Sequence, residues 1–182
     1  MLRWRFLPVV LIFILILAAC IQRNEDVAVG IQPTDTANIT ENPPNTCPVT
    51  KPPDPAFIPP ESFPTNPPGT DSWYGGDAFW TTVTQNGVWY ALPHNTEGYT
   101  QKVFWWSNGY SFTKEPEPNL TVTGQRLDGN APALHVSKAS NAEAGDIGSA
   151  MLVGVDIPTL GCWEITGEYK DAKLSFVVWV AP

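Results

Sequence analysis

Residues 161–180 read GCWEITGEYKDAKLSFVVWV, and this stretch decides the fold. Its two halves alternate with a period of two. Trp163, Ile165, Gly167 and Tyr169 share one face, and Cys162, Glu164, Thr166 and Glu168 share the other. After Lys170-Asp171 the pattern resumes. Ala172, Leu174, Phe176, Val178 and Val180 form an apolar face, with Lys173, Ser175, Val177 and Trp179 opposite. Two alternating runs joined by a two-residue turn predict a β-hairpin. In that hairpin Trp163 faces the core, while Cys162 and Trp179 face outward.

Upstream, similar short runs predict further strands near residues 78–84, 88–92, 102–106, 120–127, 134–139 and 150–156. Asn86-Gly87 predicts a hairpin between the first two. Gly124, where the apolar phase shifts toward Leu127, predicts a bulge. No segment carries a sustained helical period with caps. Seven or eight strands over residues 69–182 predict an all-β, single immunoglobulin-like β-sandwich, with a jelly roll as the alternative.

The chain before residue 69 is of two other kinds. Arg3 and Arg5 precede an uncharged apolar run, Phe6–Ala19, which has the pattern of an export signal and is short for a membrane span. Residues 20–68 hold 12 of the 19 prolines, including four Pro-Pro pairs. Proline fixes φ and removes a backbone donor, so an extended, semi-rigid stalk is expected. Phe57, Ile58 and Phe63 are apolar enough for its second half to pack on the domain instead. The expected division is 1–19 signal peptide, 20–68 stalk and 69–182 β-domain.

Leu17-Ala18-Ala19-Cys20 resembles the lipobox of bacterial lipoproteins. The resemblance implies that Cys20 carries a lipid and becomes the mature N-terminus, exported and held on the extracytoplasmic side of a membrane. Leu17 stands where ordinary signal cleavage wants a small residue, which favours the lipobox over a plain cleaved signal or a helical anchor. Trp73-Tyr74-Gly75, Val103-Phe104-Trp105-Trp106, Leu120-Thr121-Val122-Thr123-Gly124 and the Gly161–Gly167 segment resemble blocks in uncharacterised bacterial envelope proteins. No activity attaches to that group, so the likeness implies an exported β-domain and brings no catalytic residues.

Charge and composition bound the function. The chain carries 10 Lys+Arg against 18 Asp+Glu, a formal charge of −8, which argues against nucleic acid as a partner. Without Arg3 and Arg5 the excess is larger, so membrane attachment must come from lipid and not from charge. An exported Cys47–Cys162 pair permits a disulfide that clamps the stalk to the outer side of the domain. His94 and His135 lack further ligands at metal spacing, so no metal or cofactor is expected. Carboxylates are plentiful, and an acid-pair hydrolase using Asp71 and Asp77 is the enzymatic alternative. Glu115-Pro116-Glu117-Pro118 reads as a solvated loop and Asp128-Gly129-Asn130 as a turn. No catalytic residue is assigned. The aromatics are the better lead: Trp80, Trp89, Trp105, Trp106 and Trp179 are candidate binding residues if their outward faces lie open. The expected function is a lipid-anchored envelope protein presenting a non-enzymatic binding or structural module, with an envelope protein or a glycan as partner.

Overall fold

In a computed structural model of the chain, residues 39–182 are described. The expected signal peptide, Cys20 and the stalk up to residue 38 lie outside them.

Eleven strands run in chain order: β1 Ser72–Gly76, β2 Phe79–Val83, β3 Val88–Trp89, β4 His94–Asn95, β5 Gly98–Trp106, β6 Leu120–Arg126, β7 His135–Val136, β8 Ser140–Ala144, β9 Gly148–Ile157, β10 Gly161–Tyr169 and β11 Ala172–Val180. Eight have five residues or more, and β3, β4 and β7 have two each. They form two sheets. The larger runs β1-β2-β5-β9-β7, with β4 on β5 and β8 on β9; the smaller runs β3-β11-β10-β6.

The neighbours β2-β5-β9-β8 and β6-β10-β11 follow the A-B-E-D and C-F-G orders of the immunoglobulin fold. Pairing is antiparallel except between β3 and β11. The β10–β11 hairpin forms as its alternation predicts, with Trp163 opposite Val178 and Ile165 opposite Phe176. Lys170 takes a left-handed φ of 52° in its turn.

The core between the sheets is built from the inward faces of β2, β5, β6, β9, β10 and β11. Phe79, Trp105, Met151, Val153, Val155, Trp163, Ile165, Tyr169, Phe176 and Val178 meet there. Antibody domains bridge the B and F strands with a disulfide. Here Trp105 of β5 fills that space, and its ring lies so close to β10 that a Cβ on Gly167 would come within 2.6 Å of it. Phe79 stacks on the same ring at 5.1 Å.

Two local expectations need correction. Asn86-Gly87 does make a tight turn, with Gly87 N–H donating to Thr84 O at 3.1 Å. It does not join a hairpin. It carries the chain from β2 in the large sheet to β3 in the small one, because Val88 and Trp89 pair with Trp179 and Val180. Gly124 is not a bulge, since β6 pairs with β10 in unbroken register from Leu120 to Arg126. The glycine is needed for space: a Cβ there would meet the Leu134 side chain at 2.4 Å and Glu164 O at 3.0 Å.

Candidate functional site

The outer faces of the sheets are where outward aromatics would have to bind something. Residues 39–68 occupy both. On the small sheet, Cys47, Val88, Cys162, Trp179 and Ala181 form a buried cluster with Ile39, Val49 and Val177 against it. Thr40 O accepts from Trp179 Nε1 at 2.8 Å. Thr50 N–H donates to Val177 O at 2.8 Å, and Val177 N–H returns a bond to Thr50 Oγ1 at 2.8 Å. Cys47 and Cys162 are joined by a disulfide, with Cα atoms 5.7 Å apart.

On the large sheet, Trp73, Trp80, Trp106 and Ala150 form a second outer cluster, covered by Phe57 and Phe63. Phe63 meets Trp80 edge-on at 4.8 Å, and Trp73 meets Trp106 edge-on at 4.8 Å. Thr65 O accepts from Trp73 Nε1 at 3.0 Å. The described part of the Pro-rich segment is therefore packed on the body, because its apolar side chains have partners there. Ile58 is the exception, 66% exposed.

This cover decides the fate of the candidate tryptophans. Trp105 and Trp106 point to opposite faces, as adjacent strand residues must. Trp105 and Trp89 lie in the central core, Trp80 and Trp106 lie under the Phe57–Phe63 cover, and Trp179 lies under Thr40. All five are buried, Trp89 being the most accessible at 8%. They form no open ring surface, which corrects the expectation that they present a binding face. Trp80, Trp106 and Trp179 spend their area on cohesion between the sheets and the covering strap, residues 39–68, and Trp89 and Trp105 spend theirs on the central core.

The acid pair is not assembled either. Asp71 and Asp77 flank the five residues of β1, about 17 Å of strand. Asp71 Oδ2 accepts from Thr82 Oγ1 at 3.1 Å, while the Asp77 carbonyl accepts from Asn108. Asp128 holds Arg126 Nε at 2.7 Å, and the chain bends over residues 127–129 without a turn hydrogen bond. Glu115 departs from its solvated reading. Its Oε2 accepts from the buried Tyr169 hydroxyl at 2.5 Å and its Oε1 from Asn119 N–H at 3.1 Å. The Tyr169 bond holds the Glu115 carboxyl below the usual range. Burial, then Glu115, raises Tyr169 and lifts Tyr110 to about 12.

One polar constellation does converge, on the uncovered part of the large sheet. Asp156 of β9 sits opposite both Thr100 of β5 and His135 of β7. Its Oδ1 accepts from Thr100 Oγ1 at 2.6 Å and from Asn95 Nδ2 at 3.0 Å. Its Oδ2 meets His135 Nδ1 at 3.0 Å. The Thr100 and His135 bonds hold Asp156 low, and the Asp156 bond raises His135. Ser137 shares the face, but its hydroxyl accepts from Gly154 N–H at 2.8 Å and turns toward Lys138 O. Among the described residues no nucleophile is bonded to the imidazole, and the group ties β4, β5, β7 and β9 together. His94 instead packs on Tyr99 at 4.7 Å. Sequence reading missed Asn95, Thr100 and Thr50; the first two meet Asp156 across sequence separations of 61 and 56, which no local pattern reports.

Two open grooves follow the strap. One of about 630 Å³ is lined by Pro43, Pro44, Asn45, Cys47, Lys51 and Asn86 among others. A second of about 360 Å³ is lined by Pro53, Phe57, Ile58, Pro67, Asp71 and Trp73. No group of three or more His, Cys, Asp or Glu side chains placed to hold a metal occurs among the described residues. Comparison with protein-family models, with curated proteins and with solved structures found no match to this chain.

Proposed function

We propose that this chain is an exported, lipid-anchored envelope protein whose β-sandwich serves as a non-enzymatic binding or structural module. The observation that carries the reading is the Cys47–Cys162 disulfide, which belongs to an oxidising compartment. It follows a charged start and an apolar run ending at Cys20. Cys20 is the residue a lipid would modify, and two acyl chains hold where one does not. The strap then serves to attach the body: a covalent link passes from the segment after the anchor into β10, a central strand of the small sheet. The sugar and hydrolase alternatives draw no support from the geometry, because their residues are buried or far apart.

Metabolic labelling with a fatty acid tests the reading. The parent chain takes up label and partitions with membranes, and Cys20→Ala does neither. An unlabelled parent overturns the anchor. Alkylation of the purified chain before and after reduction should release two thiols, from Cys47 and Cys162.

A further inference from the structure

The disulfide is not equally guarded at its two ends. Cys162 is 1% exposed and stands in a row with Trp179 and Val88 across β10, β11 and β3, on the outer face of the small sheet. Cys47 is 5% exposed and forms part of the wall of the open groove of about 630 Å³. The chain carries a formal charge of −8, yet among the described residues lining that groove Lys51 is the only charged side chain. An anionic nucleophile is met there by a cation and by no carboxylate. The segment above the row is also thinly tied. Pro43, Pro44 and Pro48 have no N–H to give, and the N–H groups of Cys47 and Val49 bond back to Pro44 O and Cys47 O within the segment. Thr40 is bonded to Trp179, and Thr50 to Val177. Between them, among the described residues, the disulfide is the only covalent or hydrogen-bonded tie from residues 41–49 to the sheet.

We propose that the Cys47–Cys162 bond is a thiol-exchange site, opened by a dithiol that enters through the groove and attacks Cys47, and that opening frees residues 41–49 from the small sheet. The thiolate is the nucleophile, and it strikes the sulfur it can reach. Its sulfur bonds to Cys47 Sγ as the Cys47–Cys162 bond breaks. The electron pair leaves on Cys162 Sγ, which takes a proton from water. Cys162 remains beside Cys47, so the adduct of a monothiol closes again before a second molecule arrives. A dithiol escapes this return. Its second thiolate attacks its own first sulfur and displaces Cys47 Sγ, which is protonated in turn, and the dithiol closes into a disulfide. Two electrons and two protons pass from the dithiol to the two cysteines. Opening removes the cover from an apolar row, Val88, Val177, Trp179 and Ala181. The site does not depend on a lipid at Cys20.

The test uses the purified, oxidised full chain, with dithiothreitol as the dithiol and 2-mercaptoethanol as the monothiol. The rate of opening should rise in proportion to dithiothreitol, with the strand signal in far-ultraviolet circular dichroism retained. At equal thiol concentration 2-mercaptoethanol should leave at least about tenfold less reduced chain. Its adduct, trapped by rapid alkylation and mapped by mass, should sit on Cys47, with the alkyl group on Cys162. Lys51→Glu should slow opening about three- to tenfold. Lys102→Glu, the same change of charge at an exposed position of β5, should not. Trp179 emission should move to the red on reduction, and Trp179→Phe should remove that change. A rate that levels off as dithiothreitol rises overturns the proposal, because the body would then have to open first. So does an adduct on Cys162, equal slowing by the two lysine changes, or a Trp179 emission that reduction leaves in place.

Discussion

Gly167 shows how much one missing side chain can decide. Its hydrogen is the space into which Trp105 fits, and Trp105 is fully buried. Gly167→Ala would push the Trp105 ring off Phe79 and Phe176 and should cost about 1–3 kcal/mol in urea unfolding. The Tyr169–Glu115 bond gives a second test. Tyr169→Phe leaves a half-buried carboxylate short of a donor and should lose about 1–2 kcal/mol at neutral pH. Glu115 titrates below its ordinary value in the folded chain. Its contribution is complete above that ordinary value and is lost as pH falls through the lowered one, so parent and variant should converge in acid. His135 has the opposite sign: its pairing with Asp156 stabilises below the ordinary histidine value and fades as pH rises through the raised one. An Asp156→Asn change should bring the His135 titration down, read by NMR.

At the scale of the element, the strap is held by side chains a stalk would not need. Phe63 closes over Trp80, whose indole N–H finds no hydrogen-bond partner among the described residues. Phe63→Ala should open that ring to water, shift tryptophan emission to the red and cost about 2 kcal/mol, less than for a fully buried phenylalanine. The strands themselves were legible where alternation was long, as in β10 and β11. β1, β4 and β8 were not foreseen. β1 is rich in glycine, β8 reads Ser-Asn-Ala-Glu-Ala, and β4 has two residues. Their partners, and not their own composition, make them strands.

For the whole molecule the disulfide sets the scale. It closes a loop across a sequence separation of 115, so the chain-entropy model allows it about 4–5 kcal/mol. Cys47→Ala should lower the denaturation midpoint accordingly and loosen residues 39–50 first, visible as faster amide exchange at Thr50 and Val177. If the same change left both untouched, the strap would not be a structural part of the body.

Local order along the chain was enough to establish an all-β body, the inward side of β10 and β11, and the outward side of Cys162 and Trp179. These follow from period, polarity and turn chemistry, which act over a few residues. Only the tertiary structure decided that the outward tryptophans are covered, that Asn86-Gly87 changes sheets, that Gly124 makes room for Leu134, and that Asp156 gathers Asn95, Thr100 and His135. Each of those depends on which distant segment arrives at a surface. Periodicity tells a side chain which way to face, and it carries no information about what will be waiting there.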